Sequence, residues 1–297
     1  MKTVQSVLFI ILLNCLCFVT ASSPNSKYEQ IELQSLDDLI ALFERLDYTA
    51  ESWQKGNREV PRITFESVRE KWKTSSHKLP VKTKKQVFFR LMAPLVLMAN
   101  EDILKERQLA QKEVLDSEAL KSLAKKYYVI ENLDEKMDES KRQELLSKVD
   151  IMPPSLALAQ AAEESGWATS RFSFEGNAFF GQWDFSGKGM VPRQQRKELG
   201  NYGVARFDSP LASVQGYMFN INTTGAYQKL RTLRAQFRQE NKAITGLELA
   251  GTLDKYSERG QAYIDSIRGM IRYNKLYDVD EAYLSDNKLI QLVNDRD

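Results

Sequence analysis

The chain has 297 residues, of which 42% are hydrophobic and 28% charged, and its formal net charge is +2. This composition is typical of an ordinary globular protein and excludes an intrinsically disordered one. The length suits one large domain or two modest ones. The net charge argues neither for nor against nucleic acid, and no phosphate-cradling glycine motif occurs, so we predict no nucleic-acid partner.

Residues 1–21 have the pattern of a secretory signal peptide. Lys2 precedes an apolar run over residues 7–13, and small residues surround Ala21, after which we expect cleavage. The apolar run is short for a membrane anchor, so we expect no stable membrane insertion once the signal is removed. The predicted location is therefore the periplasm or the medium.

Both cysteines, Cys15 and Cys17, lie in this leader. The mature chain is then expected to have no disulfide, no thiolate nucleophile and no cysteine-bound metal. The single histidine, His77, follows two serines in a polar loop, where a solvated side chain is a better interpretation than a member of a serine–histidine triad. We expect neither a metal nor an organic cofactor.

Residues 22–149 predict an N-terminal helical region that packs on a catalytic domain at residues 150–277. Its main element is a long helix over residues 81–116, with an apolar stretch that contains Pro94 and suits a buried helix better than a membrane span. At the end of that stretch, Glu101 is either a second functional carboxylate or the start of the solvated half of the helix, and we favour the latter. The acidic tail, residues 278–297, is expected to be peripheral.

The most informative stretch is residues 152–167. A pair of prolines, a run of good helix formers and then Gly166 predict a short helix that ends near Ser165. Four alanines leave little side-chain bulk on this helix, so neighbouring backbone can approach it closely and the helix is expected to be buried. Gln160 and Glu164 lie one turn apart and therefore share a face.

A carboxylate in this position is costly to ionise. Burial and the negative end of the helix dipole both raise the expected pKa of Glu164. A proton then remains available near neutral pH, as a general acid requires. From the residue type alone, an ordinary helix-end glutamate hydrogen-bonded to loop amides is the commoner case.

Several motifs carry a resemblance to a known family. They are Ala-Gln-Ala-Ala-x-Glu-Ser-Gly-Trp at residues 159–167, Asn-x-Phe-Phe-Gly-Gln-Trp at 177–183, Val-Ala-Arg-Phe-Asp-Ser-Pro at 204–210, Asn-Ile-Asn-Thr at 220–223 and Tyr-Ser-x-Arg-Gly-x-x-Tyr at 256–263. Together with residues 84–101, they resemble the bacterial Bax branch of glycoside hydrolase family 73, whose members cut cell-wall glycan. The resemblance spans roughly residues 60–276.

The resemblance implies a mainly α protein, with a lysozyme-like (α+β) catalytic core, a small β-hairpin lobe and the N-terminal helical region packed on it. Glycines and Pro192 between residues 176 and 207 independently favour such a lobe. Its aromatic residues are either core or sugar-stacking surfaces, and we expect Trp183 to lie in the cleft. The candidates for substrate contact are Gln160, Asn177, Phe180, Gln182 and Trp183.

A glycosidase normally uses two carboxylates. The lobe offers Asp184, Glu198 and Asp208; Glu198 is our choice by position, although its basic neighbours explain it equally well as a solvated charge. The Bax-like branch tends to carry an acid nearer the strand at residue 204, where this chain has Tyr202 and Gly203.

A substrate with a 2-acetamido group can instead supply its own carbonyl oxygen. In that case Tyr263, which matches a family tyrosine, would position the acetamide or stabilise positive charge. A core tyrosine on the last helix is an equally good interpretation of this residue.

We therefore predict an enzyme, a β-N-acetylglucosaminidase that cleaves β-1,4 bonds in peptidoglycan glycan strands with Glu164 as general acid. The alternatives are a lytic transglycosylase on the same substrate, a non-catalytic cell-wall-binding protein, and a structural or regulatory partner. The sequence does not indicate an oligomeric state.

Overall fold

The computed structural model describes residues 28–195, 200 and 202–294, so the predicted signal peptide lies outside the described residues. The helices are α1 (Leu36–Arg45), α2 (Ala50–Gln54), α3 (Glu70–Ser75), α4 (Val81–Lys112), α5 (Glu118–Lys126), α6 (Glu139–Lys148), α7 (Pro154–Ser165), α8 (Arg171–Gly176), α9 (Pro210–Thr223), α10 (Gln228–Gln239), α11 (Gly246–Leu249) and α12 (Gln261–Tyr273). The strands are β1 (Tyr28–Leu33), β2 (Glu59–Val60), β3 (Ile63–Phe65), β4 (Trp183–Asp184), β5 (Gly203–Val204), β6 (Tyr283–Leu284) and β7 (Leu289–Asn294). The predicted mainly α fold class is confirmed.

The longest helix, α4, runs through the middle of the protein. It contacts α7, α9 and β3, and its buried stretch lies around Pro94, as the apolar run predicted. No helix of the described residues is both long enough and apolar enough to cross a bilayer. Glu101 forms a two-pronged ion pair with Arg62, at 2.7 and 3.0 Å, which neither interpretation of this residue had predicted.

Helix α7 is buried on almost every side. It starts at Pro154 and ends before Gly166, which is left-handed with φ 56°, as the sequence predicted. The four alanines are completely buried, and α4, α11 and α12 pack closely against the helix. Because an alanine side chain is a single methyl group, these neighbours can approach the backbone of α7 without leaving a void.

The N-terminal end of α7 is held by residues far away in the sequence. Its first residues lack a capping side chain of their own, and the carboxylate of Asp280 takes that place by accepting hydrogen bonds from the Ser155 amide and hydroxyl at 2.8 and 2.7 Å. The side chain of Asn100 on α4 also makes two hydrogen bonds to the backbone of Met152. The start of the helix is therefore fixed to both α4 and the C-terminal segment.

The C-terminal segment is not peripheral, which corrects the expectation for residues 278–297. Strand β7 lies at the centre of a three-stranded parallel sheet with the order β1-β7-β3. The N-terminal region is consequently not purely helical either. The alternating exposure of β1 is a strand signal, but its partner lies some 260 residues later, so local sequence patterns do not show the pairing.

The predicted β-hairpin lobe is present and small. Strands β4 and β5 pair antiparallel, with Trp183 opposite Val204. The lobe has its own apolar cluster, formed by Ala178, Met190 and Val204. This cluster is separate from the main core, so the lobe is a small unit placed beside α7.

A buried cluster of charges joins α6 and α10 to the segment that leads into α7. Asp150 is 2% exposed and accepts two hydrogen bonds from Arg238, while Arg107 and Arg234 lie within ion-pair distance. Burial raises the pKa of Asp150, but the bond from Arg238 and the charges of Arg234 and Arg107 outweigh it and hold the pKa below its usual range. The guanidinium groups of Arg107 and Arg234 also bind the last carbonyl groups of α6.

We expect Asp150→Ala to lower the free energy of unfolding by about 3–5 kcal/mol, because it leaves buried guanidinium groups without their counter-ion. Urea denaturation measures this change. The matched control is Glu51→Ala, which breaks an exposed ion pair with Lys55 and should cost less than about 1 kcal/mol. Equal effects of the two substitutions would show that the Asp150 cluster is not a stabilising unit.

Candidate active site

Glu164 lies in the last turn of α7 and is half-buried. Burial raises its pKa above the usual value, and the neighbouring charge of Glu163 acts in the same direction. A hydrogen bond from Tyr263 and the positive charge of Arg259 oppose this shift without cancelling it. The upward shift expected from burial is therefore confirmed, and Glu164 retains its proton to a higher pH than an ordinary carboxylic acid.

A chain of hydrogen bonds fixes the orientation of this carboxyl group. The hydroxyl of Tyr263 donates to Glu164 Oε1 at 2.7 Å and accepts from Gln160 Nε2 at 3.2 Å. The carbonyl oxygen of Gln160 in turn accepts from the Tyr217 hydroxyl at 2.6 Å. Gln160, Tyr217 and Tyr263 are at most 1% exposed, so these three side chains position Glu164 and do not form a surface for a ligand.

Stacked aromatic rings surround this chain. Tyr256 lies parallel to Tyr263, with ring centres 5.4 Å apart, and donates a hydrogen bond to the carbonyl oxygen of Phe180. The ring of Phe180 stacks on Tyr217 at 4.0 Å and is 2% exposed. Phe180 therefore contributes to the site as packing and through its backbone, and its ring does not reach the solvent.

The second oxygen of Glu164 faces Gly181. This glycine is exposed and left-handed, with φ 60°, and a Cβ atom at this position would lie 3.4 Å from Glu164 Oε2. A side chain here would be strained by the backbone conformation and would also stand beside the oxygen. Since Oε1 is taken by Tyr263, Oε2 is the oxygen of Glu164 that lies on the side of the exposed Gly181.

Trp183 lies two residues beyond Gly181, on β4. It is 49% exposed, stacks on Tyr202 at 5.0 Å and contacts the exposed ring of Phe185 edge-on. An exposed aromatic face next to a polar group suits the apolar C–H face of a sugar ring. Contact between Trp183 and the substrate stays a prediction. The exposed ring that such a contact requires is present.

Asn177 fastens the lobe to the core, whereas the backbone of Gln182 makes a hydrogen bond within the lobe. The left-handed Asn177 donates hydrogen bonds to the carbonyl oxygens of Glu66 and Phe207 and is 8% exposed. The backbone carbonyl of Gln182 accepts from the Ala205 amide, and its side-chain oxygen is buried without a partner in the structure. Contact of Asn177 and Gln182 with the substrate stays a prediction.

The second catalytic carboxylate stays a prediction. Glu198 lies outside the described residues. Asp184 accepts hydrogen bonds from the Ser186 hydroxyl and amide, and these bonds hold the pKa of Asp184 below its usual value, so it is a satisfied turn residue. Across the described residues no group of three or more histidine, cysteine or acidic side chains is placed to hold a metal ion.

The turn after α7 contains a feature that the sequence did not reveal. Gly166, Trp167 and Ala168 are all left-handed, and such backbone is unfavourable for the two residues with side chains. Trp72 of α3 holds the turn by donating from its indole nitrogen to the Trp167 carbonyl oxygen at 3.1 Å. The ring of Trp167 packs edge-on against Phe88 and Phe89.

Comparison with known proteins gave the following matches. The sequence profile of the family described as "Glucosaminidase: Mannosyl-glycoprotein endo-beta-N-acetylglucosaminidase" matches residues 140–276. "Protein bax" of Escherichia coli (strain K12) is 31% identical over 203 residues, which cover 65% of this chain and 70% of that protein. No solved structure matches the chain significantly.

The pKa shift of Glu164 has a consequence for stability. A carboxyl group whose pKa is higher in the folded than in the unfolded protein destabilises the fold once the pH exceeds the unfolded value. Glu164→Gln keeps a carbonyl oxygen for Tyr263 but cannot ionise. We expect the melting temperature of this variant to exceed that of the wild type near pH 7 and the difference to shrink as the pH falls towards 4. A difference that grows on acidification would contradict the raised pKa.

Proposed function

The chain belongs to the glucosaminidase family, in its Bax-like branch, and from this premise we propose that it is a peptidoglycan β-N-acetylglucosaminidase with Glu164 as general acid. The family is one of glycoside hydrolases. The observation that carries the proposal is the carboxyl group of Glu164, whose pKa is raised by burial, whose Oε1 is held by Tyr263 and whose Oε2 lies on the side of the exposed Gly181. The signal-peptide pattern of residues 1–21 supports a location in the periplasm or the medium.

The first chemical step follows from the hydrogen bonds of the acid. Tyr263 donates to Oε1, so the acidic proton is carried by Oε2, on the side of Gly181. A glycan strand that stacks one sugar on Trp183 brings a glycosidic oxygen to this side. Glu164 transfers its proton to that oxygen as the bond to the anomeric carbon breaks, and the alcohol leaves neutral.

The second step is proposed to use the substrate itself. The carbonyl oxygen of a 2-acetamido group attacks the anomeric carbon, and a water molecule, deprotonated by the Glu164 carboxylate, then opens the cyclic intermediate. This route needs one protein carboxylate, in keeping with the ordinary role of Asp184. Tyr263 is 1% exposed, so we assign it to positioning Glu164 and not to contact with the acetamide.

The same observation favours a second candidate, a lytic transglycosylase. In that reaction, the acid protonates the glycosidic oxygen in the same way, but the sugar 6-hydroxyl group replaces water and an anhydro end is formed. Hydrolysis instead leaves a reducing N-acetylglucosamine. The end group of the released fragments therefore distinguishes the two reactions.

We expect Glu164→Gln to reduce the release of soluble fragments from purified cell wall by about 10²- to 10⁴-fold, the usual contribution of a general acid. Mass spectrometry of the wild-type digest identifies the end group. Glu163→Gln is the matched control, because Glu163 is the adjacent carboxylate but pairs with Arg259, and it should keep most of the activity. Equal loss in both variants, or none in Glu164→Gln, would refute the assignment.

Tyr263→Phe tests the hydrogen bond to the acid. This bond stabilises the ionised form of Glu164, so its removal raises the pKa further and moves the alkaline limb of the pH–rate profile to higher pH. The turnover number at the optimum should fall, because the carboxyl group is less well oriented. Tyr256→Phe loses a buried hydrogen bond to a backbone carbonyl and should leave the limb in place. Identical profiles for wild type and Tyr263→Phe would contradict this role.

A further inference from the structure

Positive charge is concentrated in one short part of the chain. Residues 69–85, here called the basic segment, contain seven lysine and arginine residues and a single carboxylate, Glu70. The segment thus carries a net charge of +6, whereas the whole chain carries +2. The remainder of the protein therefore has a net negative charge. The positive charge of the basic segment is local and does not appear in the net charge of the whole chain.

The basic segment folds as α3, a tight turn and the first turn of α4. Lys71, Lys73, Lys78 and Lys82 are exposed, Lys84 is half-buried, and none of the five forms an ion pair with a described residue. Salt bridges to described residues therefore do not explain why these lysines are concentrated here. Val81, in the same turn as Lys82, is 66% exposed, so the face presents an apolar side chain among its charges.

An apolar groove opens beside α3, and of these five lysines Lys71 lines it. It has a volume of about 460 Å³, within the range of pockets that hold small ligands. Its floor is apolar, and its residues include Phe65, Val68, Phe88, Leu91, Met92 and Leu292. Lys71, Trp72 and Leu79 of the basic segment form part of its wall. Positive charge at the rim and an apolar interior are the two features that an anionic amphiphile requires.

We propose that this face binds the surface of a bilayer that contains anionic phospholipid, with headgroups on the basic segment and an acyl chain in the groove. Lysines near a membrane surface attract anionic headgroups, and an apolar contact gives a second, short-range attraction. A nucleic acid would use the lysines but would leave the groove and Val81 without a partner. The proposal does not depend on the hydrolase activity.

Sedimentation with vesicles tests the proposal. The wild-type protein should bind phosphatidylcholine vesicles only when phosphatidylglycerol is included, and added salt should weaken the binding. Lys82→Glu/Lys84→Glu should reduce the partition coefficient at least about 25-fold, because each lysine at a membrane contributes about a factor of five. Both changes lie near the N-terminus of α4, where a negative charge favours the helix, so the variant should fold.

The matched control is Lys112→Glu/Lys125→Glu. Both lysines are exposed and unpaired among the described residues, and Lys112 lies about 40 Å from Lys84 along α4. This variant should bind like the wild type. Equal losses in the two variants, or no binding to phosphatidylglycerol vesicles, would overturn the proposal.

A soluble short-chain phosphatidylglycerol tests the groove itself. It should change the tryptophan emission of the wild type but not of Trp72→Phe, whereas glycerol phosphate should have no effect. Equal affinity for duplex DNA and for the vesicles would also overturn the proposal, because it would identify the basic segment as a general polyanion site.

Discussion

The structure depends on a single unfavourable arrangement, an ionisable side chain at the end of a helix that is otherwise surrounded by protein. Glu164 can be tolerated there because it accepts a hydrogen bond from Tyr263. Tyr263 accepts one from Gln160, and Gln160 accepts one from Tyr217. Each member makes a hydrogen bond to the next, so the buried side chains of Tyr217, Gln160 and Tyr263 all have partners. The same chain that makes the burial possible also fixes the direction of the acid.

Helix α7, which carries Glu164, is held by contacts at its start, along its sides and at its end. Asp280 and Asn100 hold its start, the alanines let α4, α11 and α12 close around it, and the left-handed turn braced by Trp72 fixes its end. Rigid support of this kind suits general acid catalysis, in which a small displacement of the proton donor has a large effect on rate. The unfavourable backbone at Trp167 is consistent with strain concentrated beside a functional group.

Local sequence was sufficient for both ends of α7 and for the shared face of Gln160 and Glu164, because proline, glycine, alanine and a one-turn spacing act over a few residues. The mainly α, lysozyme-like fold followed from the family resemblance. It was not sufficient for Tyr217 and Tyr256, whose roles arise from contacts between distant helices. The motif residues Asn177 and Phe180 were assigned to the substrate, yet the structure uses them as a fastener and as packing. A motif identifies positions that matter but does not distinguish contact from support.

The pairing of β7 with β1 and β3, together with the cap that Asp280 places on α7, has a consequence for biogenesis. The residues that complete the sheet and cap the helix of Glu164 are synthesised long after their partners. Such long-range closure makes folding slow relative to local helix formation. A nascent chain therefore lacks both the central strand of the sheet and the cap of α7 until Asp280 and β7 have been synthesised, so topology alone delays the final placement of Glu164.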